Sequence, residues 1–154
     1  MMSLAFLYAC ANVSIGPPDT YDKETSRTYE MGYENTWDRA VDWFADHDVS
    51  IEKIEKPSGL LTARYRLDAD ENLLDCGDID VSGTMNETRI DRSGSLNVTV
   101  RERGEEKTLV NVNFFGNFEL FDRDRWDGRQ VTADGNCVST GELEQRILDF
   151  IEEK

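Results

Sequence analysis

Leu96-Asn97-Val98-Thr99-Val100-Arg101 sets an apolar residue at every second position with a polar one between. A period of two sends successive side chains to opposite faces of a strand. This run therefore predicts a strand with one face on a core and one in water, the habit of antiparallel sheets. Further strands are expected at Ile79 to Thr84, Asn86 to Asp91, Leu96 to Arg103 and Thr108 to Phe121. In the last of these the apolar phase is expected to change near Gly116, through a bulge or bend.

Upstream, Val49 to Lys56 and Leu60 to Leu67 flank Pro57-Ser58-Gly59, which predicts a hairpin with Leu61, Ala63, Tyr65 and Leu67 turned inward. A strand is also expected within Tyr21 to Met31. The period changes at either end of this β-rich middle. Trp37, Ala40, Val41 and Phe44 share one face of a helix over about Asn35 to Asp46, with Asn35 as its cap and Trp43 at the stripe's edge. Leu143, Ile147, Phe150 and Ile151 form the stripe of a second helix, opened by a capping box of Ser139 and Glu142. Helix, hairpin strands, helix predicts an α+β fold: a curved antiparallel sheet packed against two amphipathic helices, helix-grip-like.

The 154 residues suit a single domain over 21–154. Residues 11–20, with Gly16-Pro17-Pro18-Asp19, read as a linker. Residues 1–10 read as an atypical signal segment, because Met1 to Ala11 is apolar yet far shorter than the roughly 20 residues that span a bilayer. Leu7-Tyr8-Ala9-Cys10 resembles a bacterial lipobox, which makes Cys10 the expected site of lipidation, although no Lys or Arg precedes the run and Tyr8 is bulky for that position. With Cys10 as an anchor, Cys76 and Cys137 remain as an even pair, and export would let them form a disulfide.

Seventeen Lys and Arg against 32 Asp and Glu give a formal charge of −15, which opposes binding to nucleic acid. Arg101-Glu102-Arg103 and Arg123-Asp124-Arg125 are broken by acids and suit a solvated face. His47, in Asp46-His47-Asp48, is the single histidine and is placed to cap the first helix. Cys137 lies near a helix N-terminus, where a thiol can become reactive, but no C-x-x-C accompanies it. Asp68-Ala69-Asp70-Glu71-Asn72 begins like a calcium loop and then places Leu73 where glycine is needed and Ile79 where the closing glutamate is needed. Asp122, Asp124 and Asp127-Gly128 form a similar acidic cluster. No phosphate-binding loop, dinucleotide fingerprint or nucleophile elbow is present. No metal, cofactor or catalytic residue is expected.

Trp37-Asp38-Arg39-Ala40, Pro57-Ser58-Gly59-Leu60-Leu61-Thr62-Ala63 and Ser139-Thr140-Gly141-Glu142-Leu143-Glu144 together resemble small bacterial envelope lipoproteins with a BamC-like domain. The resemblance covers about Thr20 to Ile151 and implies a curved sheet gripping two helices, with no enzymatic activity. It differs from BamC in having one such domain and no long N-terminal arm. The function expected from these readings is an envelope lipoprotein domain at the periplasmic face of a membrane, outer membrane by preference. It would be held only by its lipid and would contact a protein partner that the sequence does not name. The alternative is a carrier of a small apolar ligand, in a pocket lined by Trp43, Tyr65, Phe114 and Phe118.

Overall fold

A computed structural model describes residues 12–67, 72–82, 86–124, 128 and 130–153. It is α+β, as expected, with a large antiparallel sheet and two helices. The strands are β1 (Asn12–Ile15), β2 (Ser26–Tyr29), β3 (Ile51–Glu55), β4 (Leu60–Arg66), β5 (Leu74–Asp75), β6 (Ile79–Ser82), β7 (Asn86–Gly104), β8 (Lys107–Asp124) and β9 (Gln130–Ser139). The helices are α1 (Tyr33–Asp46) and α2 (Glu142–Glu153). The main sheet runs β3-β4-β7-β8-β9-β5, with β2 added on β8 beside Thr108 to Asn111. β1 and β6 make a separate two-stranded sheet.

The long β7–β8 hairpin is the spine. Leu96, Val98 and Val100 face Phe114, Val112 and Val110 across it, and all six are buried. Two separate strands were expected along β7, but the ladder runs unbroken through Ser93-Gly94-Ser95. The reason is aromatic cover: a Cβ on Gly94 would lie 2.6 Å from the Phe114 ring, so the ring occupies the space a side chain would need.

The expected change of phase at Gly116 does not occur. Val110, Val112, Phe114, Gly116, Phe118 and Leu120 all point inward, and Gly116 pairs with Gly94 on one side and Cys137 on the other. Leu74 fills the void at Gly116, where a Cβ would come within 2.2 Å of its Cδ1. Phe115, on the outer face opposite Val138, is 50% exposed. The only register shift in the hairpin lies between Glu102 and Gly104, beside the turn.

Two strands depart further from the sequence reading. β9 carries no alternation of large apolar residues, because its inward positions are Ala133, Gly135, Cys137 and Ser139. The Phe118 ring lies over Gly135, so small residues here are what the packing requires. In the stretch read as a linker, Asn12–Ile15 pairs with Ile79–Ser82, and Val13, Ile79 and Val81 pack on the core. Gly16 N–H then donates to Asp78 O at 2.8 Å.

Both helices bury most of the stripes their sequences carry, Trp37, Ala40 and Phe44 in α1 and Leu143, Ile147 and Ile151 in α2, while Val41 and Phe150 are half-buried at the edges. Trp43 is buried as well. The cap of α1 lies three residues earlier than expected, at Gly32 instead of Asn35. Tyr33 stacks on Trp37 and donates its hydroxyl to Lys56 O at 2.6 Å, which adds a turn to the helix. The capping partner in α2 also differs. Gly141, at φ 92°, turns the chain so that Ser139 Oγ donates to Glu144 at 2.6 Å, not to Glu142, and accepts from Gly141 N–H at 3.0 Å. Counted from Gly141 as cap, Glu144 is the third helical residue, where a capping-box acid belongs.

Arg27 on β2 ties the sheet to α2, bonding Asp149 at 2.9 Å and Glu152 at 2.7 Å as well as Glu24. Glu24 foremost, and Asp149 after it, push the guanidinium pKa up and keep it charged. Arg39 of α1 donates to Ile151 O at 2.9 Å, which satisfies a carbonyl at the negative end of α2.

Candidate functional site

The C-terminal turn of α1 builds one wall of a groove. His47 N–H and Nδ1 both donate to Trp43 O, at 3.2 and 2.8 Å, so the ring is fixed by the carbonyl it caps and Nδ1 holds the proton. The imidazole stacks on Trp43 at 4.8 Å between centroids and meets the edge of Phe150 at 5.7 Å. Asp48 follows at φ 53° and reverses the chain, letting Val49 N–H reach Phe44 O at 2.9 Å. Helix end, imidazole and α2 aromatic thus form one rigid corner.

The opposite wall is the sheet. Tyr65 and Gly94 are paired neighbours on its inner face, and Tyr65 packs edge-on against Phe114 at 5.6 Å. Beyond Gly94, Arg92, in the same inward phase as Leu96 and Val98, is exposed among the described residues. The resulting groove has a volume of about 690 Å³ and is lined by His47, Ser50, Glu52, Arg64, Tyr65, Arg92 and Gly94, among others. A second hollow of about 350 Å³ shares His47 and Tyr65 and continues past Phe150 and Arg146 along α2. Arg64 bonds Glu52 at 2.9 Å, whereas Arg92 has no carboxylate partner among the described residues.

A different hollow, about 710 Å³, lies where the chain entering the domain meets α2, lined by Asp19, Tyr21, Lys23, Asp75, Glu142 and others. Asp75 organises it, accepting from Gly77 N–H at 2.8 Å and from Asp19 N–H and the Tyr21 hydroxyl at 2.9 Å. These donors, Gly77 first, hold its carboxyl below the ordinary range, and the same bond raises the Tyr21 phenol. Beneath this corner Glu144 is fully buried, and its Oε1 accepts no hydrogen bond. Lys23 Nζ stands 3.7 Å away as counter-charge. A buried carboxylate so placed is a costly feature that its partners must offset.

Cys76 and Cys137 are joined, S–S 2.00 Å, and the bond lies in the core beside Leu74. With its sulfur in that bond Cys137 has no thiol to ionise. Of the four residues expected to line a ligand pocket, Phe114 and Phe118 are in the core, whereas Trp43, though buried, and half-buried Tyr65 both line the smaller hollow. Leu73, where a calcium loop needs glycine, is a core residue, and Asp122 is buried, accepting from Thr88 at 2.8 Å. Cys10, Asp68 to Glu71 and Asp127 lie outside the described residues. Among the described residues no group of three or more His, Cys, Asp and Glu could hold a metal, and no helix is long and apolar enough to cross a membrane.

Arg92 and Arg64 escape motif reading because no motif contains them. For Arg92 a signal exists: two residues before Gly94 it carries charge into the inward phase, where Leu96, Val98 and Val100 follow. Compared with known proteins, the chain matches no family model and no curated sequence.

Proposed function

We propose that the chain is an exported binding domain, tethered to a membrane through a lipid on Cys10 and acting by contact with other envelope proteins, with no chemistry of its own. The observation that carries this reading is the buried Cys76–Cys137 disulfide, which closes a loop across 61 positions. Disulfides of this kind form and persist in oxidising compartments. The lipobox-like Leu7-Tyr8-Ala9-Cys10 and the resemblance to BamC-like envelope lipoproteins supply the tether and the class of partner. The carrier reading draws less support, since Phe114 and Phe118 are packed in the core and only Trp43 and Tyr65 line a hollow.

Intact-mass and peptide analysis of full-length protein from bacterial cells, run without reductant, tests this. The expected result is a diacylglyceryl mass on Cys10 and no free thiol at Cys76 or Cys137. Soluble, unlipidated protein with both thiols free would overturn the reading.

A further inference from the structure

We propose that β3, the end strand of the main sheet, pairs antiparallel with β3 of a second copy of this chain about a two-fold axis at Ile54. This goes beyond the tethering reading and does not depend on it. Among the described residues β3 pairs with β4 alone, so its outer edge offers backbone groups of the kind that template a further strand. An apolar row that crosses the sheet also stops there unfinished. Val112, Val98 and Leu61 are buried neighbours on β8, β7 and β4, and Ile54, next in the row, is 56% exposed. A second β3 laid alongside continues the row with its own Ile54 and the buried residues behind it.

Charge selects both the occupant and the register. Glu52-Lys53-Ile54-Glu55-Lys56 is electrically neutral in a chain of 17 bases and 32 acids, so a second copy meets little local repulsion here. Lys53 and Glu55 flank Ile54, opposite Thr62 and Leu60, and stand half-exposed with Nζ and Oε2 3.6 Å apart. A two-fold axis at Ile54 sets Lys53 of each copy directly across from Glu55 of the other, and Ile54 across from Ile54. Moving the axis one residue either way sets Lys53 against Lys53 or Glu55 against Glu55. Moving it half a residue sets Glu52 against Glu55 or Lys53 against Lys56. Opposite charges across a strand pair stabilise it and like charges destabilise it, so one register stands alone. A lone lysine would guard such an edge, but Lys53 comes with its own counter-charge, and the bulge between Ile51 and Lys53 lies outside the paired stretch.

The test follows full-length oxidised protein, isotope-labelled, by sedimentation equilibrium and by amide chemical shifts as its concentration rises to the millimolar range. A contact this short makes a weak dimer, so shifts that depend on concentration are expected at Lys53, Ile54 and Glu55. Lys53→Glu and Glu55→Lys each turn both cross-strand pairs into like-charge pairs and should weaken association about tenfold, although they move the net charge in opposite directions. An equimolar mixture of the two variants should regain the lost affinity, since the acidic edge of one then faces the basic edge of the other. The double exchange Lys53→Glu/Glu55→Lys should associate as the unaltered protein does. Protein that stays monomeric at millimolar concentration would overturn the proposal, as would shifts confined to other surfaces, and neither result needs a variant to fold. So would full association of both single variants, or a mixture no tighter than either variant alone. Such a failure is separate from failure of the tethering reading, which is measured by the mass on Cys10.

Discussion

Reducing the Cys76–Cys137 bond should destabilise the domain by about 4 kcal/mol, because opening a closed loop of about 60 residues returns that much chain entropy to the unfolded state. The bond joins positions 61 apart in sequence, and it anchors β5, whose ladder with β9 is short, Leu74 with Ser139 and Asp75 with Val138. For a domain of this size each kcal/mol moves Tm by about 2–4 °C, so the melt should fall by about 8–16 °C. Urea unfolding of oxidised and reduced protein, compared with a Cys76→Ala/Cys137→Ala variant, measures the change directly. The reduced chain should also show a steeper denaturant dependence, since its unfolded state exposes more surface. Midpoints that coincide after full reduction would refute the reasoning. They would mean that burial of Leu73 and Leu74 already constrains the loop without covalent help.

Gly94→Ala should cost about 1–3 kcal/mol in urea unfolding, the usual range for overpacking, because the new methyl meets the Phe114 ring in a filled core. Ser139→Ala should cost about 1–3 kcal/mol by the same assay, since it leaves buried Glu144 and the Gly141 N–H each short of a partner. Tyr29 is buried and donates its hydroxyl to Leu148 O at 2.7 Å, and burial raises its phenol above the ordinary 10.0. The fold holds the protonated form, so this contribution is whole below pH 10.0 and is lost as pH rises beyond it. An absorbance titration should show Tyr29 ionising after the other tyrosines, Tyr21 and Tyr33 also being raised, and Tyr29→Phe should flatten that part of the stability profile.

The helices were the most legible elements, because a stripe such as Leu143, Ile147 and Ile151 states its period within three turns. Helix ends were less so: Tyr33 joins α1 through a contact with Lys56, which lies 23 positions away. The strands show the opposite weakness. Where a neighbouring ring replaces the missing side chain, as Phe114 does at Gly94 and Phe118 at Gly135, the apolar alternation disappears from the sequence although the strand does not. β9 was lost for that reason, and the phase of β8 was misjudged at Gly116. The disulfide pair could be read by counting cysteines. The groove could not, because its walls come from the end of α1, from β4 and β7, and from α2, brought together only by the fold.

The pairing of β1 with β6 has a mechanical consequence for the tether. Cys10 lies only two residues before Asn12, where β1 is already fastened to the body of the domain. Two residues at full stretch reach about 7 Å. A lipid on Cys10 would therefore work as a hinge pin instead of a leash, holding the β1–β6 corner against the headgroups and limiting how the domain can roll. Lengthening the chain by a dozen flexible residues between Cys10 and Asn12 should free that roll, a change that polarised infrared or neutron reflectivity on supported bilayers can register.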